Sequence, residues 1–214
     1  MSLYKKNLKK LIKGNVYNPK DEHDACGVGF VSSTDGKKSR KVVEFGIQAL
    51  QAVWHRGAVD SDGKTGDGAG IHIEIPKDFF IERIENAGRR HDLGDICVGM
   101  VFLPRNDYAA QEKCKTVIEN ELINKNYYIY RWRQVPVNTK VLGIKAENNR
   151  PEIVQVIFKS NSVNLKDDEL ERDLFVIRKK IEKQSSLLKL KDFYISSFSS
   201  RSIIYKGMFL AESL

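Results

Sequence analysis

A lone cysteine stands in the stretch DEHDACGVGF, residues 21–30, between an acidic lead-in and a glycine-spaced apolar run. Cys26 admits three roles: a small buried hydrophobe, a metal ligand or a nucleophile. The metal reading starts from His23 and Cys26, whose spacing is ligand-like. A structural zinc site needs four ligands, usually in two close pairs. Cys97 and Cys114 have no partnering His or Cys nearby, and His72 and His91 offer no cluster, so no metal site is expected. Cys97 in an apolar strand and Cys114 on a helix face read as core residues. On its own residues Cys26 fits that same role, since no local histidine is placed to act as its base. One nucleophilic mechanism needs no histidine. If the chain is cut between Ala25 and Cys26, a new α-amine with a pKa of about 7.7–8 lies beside the thiol. It can accept the thiol proton near neutral pH, as in enzymes whose first residue is the nucleophile.

The glycine cluster GDGAG, residues 66–70, invites a phosphate-loop reading. It lacks the Lys-Ser/Thr of a P-loop, and the alternating IHIEI follows it instead of a helix N-terminus. A tight loop feeding a strand is the better account.

These residues need elements to position them. CGVGFV reads as a buried strand whose glycines allow close backbone approach. RKVVEFGIQALQAVWHRG carries Val43, Ile47, Leu50 and Trp54 at helical spacing, with Gly57 as its C-terminal stop. Ile71, Ile73 and Ile75 alternate like a half-buried strand, and ICVGMVFLP predicts a more buried one. DYAAQEKCKTVIENELINK predicts a helix, YYIYRWRQVPV and EIVQVIFK further strands. LKDDELERDLFVIRKKIEKQ predicts a helix with acids early and bases late, matching the helix dipole. DFYISSFSS and RSIIYKG close the series as strands. Most strands alternate, and few linkers could carry repeated right-handed crossovers. An antiparallel layered domain of helix and sheet is therefore expected, not a doubly wound parallel sheet. The final FLAESL has helical character and no stop signal, which suggests a chain cut inside a larger domain.

The 214 residues suffice for one large domain or two small ones, and 41% hydrophobic with 30% charged residues is ordinary for a soluble globular protein. The formal charge is +8, of which +3 falls in residues 1–25, where six lysines meet three acids. That excess makes nucleic acid the first partner to test. Yet no helix-turn-helix, zinc-finger or aromatic-basic ribonucleoprotein pattern appears, and a basic surface explains the charge, so no nucleic-acid partner is expected. Three widely spaced cysteines argue against a disulfide framework and for a reducing compartment. MSLYKKNLKKLIKG has no continuous apolar stretch of a secretory signal, and no run approaches the roughly 20 apolar residues of a membrane span. Leu3, Leu8, Leu11 and Ile12 can line one side of a short basic helix. The expected location is the cytoplasm, or an organelle if that leader is a targeting segment.

EHDACGVGFV, LQAVWHRGA, GDGAGI and SSRSIIYKGMFLAESL, in that order, resemble the glutaminase domain at the amino terminus of glutamate synthase large subunits. That domain is a class II glutamine amidotransferase. The resemblance runs from about residue 17 to residue 214. It implies an α+β fold of the N-terminal nucleophile hydrolase type, with αββα layers and antiparallel sheets, here incomplete. It also implies a propeptide over residues 1–25 and the first part of an amidotransferase domain over 26–214. Cys26 then attacks the side-chain amide of L-glutamine, releases ammonia and forms a γ-glutamyl thioester that water hydrolyses. Ammonia passes to 2-oxoglutarate to give glutamate.

By the same resemblance Arg56 helps fix the mature amino terminus and Arg201 binds the substrate α-carboxylate, while Gly57, Asp67 and Gly68 support the pocket wall. The family's oxyanion Asn-Gly pair and its amino-group acid lie downstream of YKGM, outside this sequence. The 214-residue chain alone is accordingly expected to be inactive. FMN and an iron–sulfur cluster belong to the full-length protein and not to this part. The partners implied are the remaining synthase domains and a small electron-donating subunit. Two other readings stand beside this one: a different class II amidotransferase or N-terminal nucleophile amidohydrolase, and a non-catalytic module that retains the fold.

Overall fold

A computed structural model describes residues 2–14, 27–54, 57–91, 94–162, 165 and 167–214. Its centre is strand β2 (Ile96–Leu103), whose ICVGMVFL sequence is apolar at every position and buried along nearly its whole length. β2 pairs antiparallel with β4 (Glu152–Ser160) on one side and β5 (Tyr194–Ser199) on the other. β3 (Tyr127–Gln134) completes a four-stranded sheet in the order β3-β4-β2-β5.

The alternation of side chains along a strand sends successive residues to opposite faces, and here both faces are covered. Cys97, Val101 and Leu103 pack in one core with Cys114, Ile118 and Leu122 of α4 (Tyr108–Asn124) and Leu170, Leu174, Ile177 and Ile181 of α6 (Asp167–Leu187). Ile96, Val98 and Met100 face a second core. That core receives Phe80 and Ile84 of α3 (Lys77–Glu85), Ile75, and Ile203 from β6 (Ser202–Gly207). β6 pairs antiparallel with β1 (Ala69–Glu74) as a separate two-stranded sheet. The layers thus run helices, sheet, sheet, and every described ladder is antiparallel, as expected.

Helix α1 (Leu3–Gly14) carries the leader lysines, and Leu3 and Tyr4 on it are exposed. α2 (Arg40–Ala52) starts at Ser39, whose side chain accepts from the Val42 N–H, and lies against β1, with Gly46 facing Ile71. Its apolar stripe is only half-buried, and no α2 residue is fully buried. No helix of the described residues is long and apolar enough to cross a membrane.

Several expectations need correction. Residues 27–33 form no strand, and Val28 and Phe30 are 93% and 88% exposed. An apolar run becomes a strand only where an edge accepts it in register, and no described strand pairs with this segment. Gly57 does not stop α2. The helix ends at Ala52, and the Val53 N–H caps it on Leu50 and Gln51 carbonyls. α6 opens with Asp167, Asp168 and Glu169 but runs on to Leu187, so its bases precede the last turn. FLAESL ends in a 3₁₀ turn, Ala211–Ser213. Two short helices, α3 and α5 (Ile144–Asn149), were not foreseen. The Phe80–Ile84 spacing, with Asp78 in the first turn, is the signal for α3.

Candidate active site

The glycine cluster is a packing device. A Cβ on Gly66 would fall 2.6 Å from the Phe209 carbonyl oxygen, and one on Gly70 would fall 2.6 Å from the Tyr205 carbonyl oxygen. Gly68 has φ +133°, a conformation that favours glycine. These three positions let β1 and its lead-in lie directly on β6 and on the segment after it.

Upstream, residues 58–67 form a hairpin bridged at Val59 and Gly66, with the Asp60 N–H donating to the Thr65 carbonyl at 2.9 Å. Asp62 holds the turn. It accepts from the Thr65 hydroxyl at 2.6 Å and from the Thr65 and Lys64 N–H groups at 2.7 and 2.9 Å. Those bonds hold its carboxyl well below the usual carboxylate range. Lys145 pairs with Asp60 at 2.7 Å, and the Ala146 N–H donates to Thr65 Oγ1 at 3.3 Å, which ties the hairpin to α5. Gly143 packs so tightly on Asp62 and Thr65 that no side chain fits there.

The hairpin, the end of α2, β1 and the chain after β6 enclose a cleft of about 1140 Å³, lined in part by Gly27, Gly57, Asp67, Gly68, His72 and Lys206. Asp67 lies close to Gly57: a Cβ there would sit 3.3 Å from Asp67 Oδ1. The Asp67 N–H donates to the Ala58 carbonyl at 3.1 Å. Gly57, Asp67 and Gly68 are thus brought to one wall. Cys26 and Arg56 lie outside the described residues, but their bonded neighbours Gly27 and Gly57 both line the cleft.

Arg201 is not brought there. It occupies the turn between β5 and β6, and its Nη2 donates to Asp168 Oδ1 at 2.7 Å, which raises its pKa further. Its carbonyl accepts from the Ile75 N–H at the Glu74–Ser202 end of the β1–β6 ladder. The cleft glycines Gly68 and Gly207 lie at the opposite end, roughly 17 Å away at the usual rise per strand residue. In this position Arg201 braces a turn that Glu171 also holds, through the Ser199 and Ser200 hydroxyls and the Ser200 N–H.

Cys97 and Cys114 are fully buried in the helix-covered core. Burial raises both thiols, Cys114 to about 11 and Cys97 beyond it. Neither is a nucleophile at neutral pH. His72 lines the cleft, while His91 Nδ1 lies 3.0 Å from Tyr130 Oη. Among the described residues no group of three or more His, Cys, Asp or Glu is placed to hold a metal ion. Trp54, read from sequence only as part of a helix stripe, lines the cleft, as do Lys206 and Phe209, which were not singled out. Lys206 sits over the Tyr194 ring and donates to its hydroxyl at 2.9 Å. It belongs to the YKGM motif, so a signal for it was present.

The family model of class-II glutamine amidotransferases matches residues 26–214. The chain is 54% identical over 211 residues to the glutamate synthase [NADPH] large chain of Azospirillum brasilense, covering 99% of this chain and 14% of that one. It is 39% identical over 189 residues to ferredoxin-dependent glutamate synthase 2 of Synechocystis, covering 88% and 12%. It is 38% identical over 198 residues to the chloroplastic ferredoxin-dependent glutamate synthase of Spinacia oleracea, covering 90% and 12%. The chain therefore spans only 12–14% of the length of these relatives. With its antiparallel sheets, its glycine-built cleft and a family match over residues 26–214, this chain belongs to the class-II glutamine amidotransferases.

Proposed function

We propose that residues 26–214 are the nucleophile-bearing part of a glutaminase site that feeds ammonia to a glutamate synthase. The observation that carries this is positional. The family match begins at Cys26, and the next residue, Gly27, lines the cleft with Gly57, Asp67 and Gly68. Removal of residues 1–25 makes Cys26 the first residue and frees its amine. That amine takes the thiol proton, and the thiolate sulfur attacks the side-chain amide carbon of L-glutamine. The C–N bond breaks, the proton passes to the departing nitrogen, and ammonia leaves behind a γ-glutamyl thioester. Water then cleaves the C–S bond, giving glutamate and the free thiol. Arg56 fixes the new amino terminus through its several N–H donors, and Gly57, Asp67 and Gly68 form the wall beside it.

Ammonia goes on to 2-oxoglutarate, a reductive step for which FMN and an iron–sulfur cluster supply electrons. The described residues do not offer the cysteine set that an iron–sulfur cluster needs. Cys97 and Cys114 are sealed in the core, and no described group of three or more metal-ligating side chains converges. Both cofactors are assigned to other parts of a larger protein, with the remaining synthase domains and a small electron-donating subunit as partners. The oxyanion donors are assigned to further sequence as well, and losing one such donor typically costs about 10²–10³ in rate. The 214-residue chain alone should therefore release negligible glutamate from glutamine. The test is Cys26→Ala in the whole synthase that carries this region. Glutamine-dependent synthesis should vanish while synthesis from added ammonium persists. Retained glutamine-dependent synthesis would refute the assignment.

A further inference from the structure

The rim between α3 and β3 carries positive charge that little around it neutralises. Two guanidiniums share the Phe79 ring, Arg83 at 4.9 Å and Arg133 at 5.2 Å from its centroid. Arg131 joins them by donating from Nη1 to the Arg83 carbonyl at 2.9 Å. Their anchors are neutral. Arg133 Nη1 donates to Gln155 Oε1 at 2.8 Å, and the fully buried Gln155 donates in turn to Tyr205 Oη. Arg83 Nε is buried without an acceptor. Among the described residues one carboxylate is within ion-pair reach of the trio, Glu82 at 3.8 Å from Arg83, and none reaches Arg131 or Arg133. Burial, with the nearby charges of Arg83 and Arg131, lowers the pKa of Arg133. Three like charges gathered this closely repel one another unless an anion joins them.

We propose that Arg83, Arg131 and Arg133 form a docking site for an acidic polypeptide segment that lays carboxylates on the guanidinium forks. Arginine forks match carboxylates bidentately, and half-buried heads held by internal acceptors are already oriented for it. Three observations favour a polypeptide over a small anion. The trio lines neither the cleft nor the smaller pocket beside Asp60, whereas small-molecule sites are concave. β3 is the outer strand of its sheet, and along Arg131–Gln134 no second described strand pairs with it beside β4. The relatives continue far beyond the 12–14% of their length that this chain spans, so further polypeptide accompanies this region in them.

The test is a titration of a short labelled Asp/Glu peptide into the 214-residue chain at low salt. Replacing Arg131→Gln with Arg133→Gln should weaken binding by about tenfold or more, as for truncated charge partners. An equal loss of charge on α6, Lys180→Gln with Lys183→Gln, both exposed, should change it by less than about twofold. Arg131→Lys with Arg133→Lys keeps the charge without the forks and should fall between. That pair decides the matter if thermal melts show the Gln pair to be unfolded. Equal losses at both places would overturn the site in favour of overall basicity. Inorganic phosphate that displaced the peptide at comparable concentration would overturn it in favour of a small anion.

Discussion

Gly66 and Gly70 shape the cleft wall by what they lack. Gly66→Ala would drive a methyl group into the Phe209 backbone, and overpacking of this kind costs about 1–3 kcal/mol. Urea unfolding of the variant should show that loss, and an unchanged midpoint would contradict the close approach. Asp62 gives a pH prediction. Its folded-state pKa lies below its unfolded value because Thr65 and Lys64 donate to the carboxylate. Its contribution to stability is thus present above an unfolded pKa of about 3.9 and is lost as pH falls through the folded value. Asp62→Asn should lower the melting temperature at pH 7, and the difference from the parent should shrink at more acid pH. A difference that grew toward acid pH would reverse the sign of this account. That residues 66–70 are a tight loop feeding a strand was legible from the glycines and the alternation after them. That the loop closes on Tyr205 and Phe209 was not, because the partners are far apart in sequence and only the fold brings them together. Arg201 shows the same limit. Its motif was recognisable, but the turn that pairs it with Asp168 is a tertiary feature.

At the scale of elements, legibility followed burial. β2 and α4 were visible because one is apolar on both faces and the other carries buried residues at helical spacing. α3 was overlooked because nine residues hold only two buried anchors, Phe80 and Ile84. CGVGFV was read as a buried strand from composition, but strand formation depends on an accepting edge as much as on residue type. Two substitutions separate these cases. Leu174→Ala, inside the α4–α6 core, should cost about 2–5 kcal/mol in urea unfolding. Phe30→Ser, on an 88% exposed side chain, should change the stability of the chain by less than about 0.5 kcal/mol. A large loss at Phe30 would mean that residues 27–33 pack far more than their exposure indicates.

The molecule as a whole places a helix-covered sheet behind a smaller sheet, and the smaller sheet carries the cleft beside Gly27 and Gly57. This layering was legible from antiparallel strand patterns and from the resemblance, whereas the basic surface taught little about partners until the arginines of α3 and β3 were located. The central claim is that Cys26 becomes a terminal nucleophile, and one measurement addresses it directly. The polypeptide carrying this region is expressed in cells, exposed to a diazoketone analogue of glutamine, and analysed by intact mass with amino-terminal sequencing. The account predicts a chain that begins at Cys26 and carries a single adduct on that residue. A chain that still begins within residues 1–25 and carries no adduct at Cys26 would contradict it.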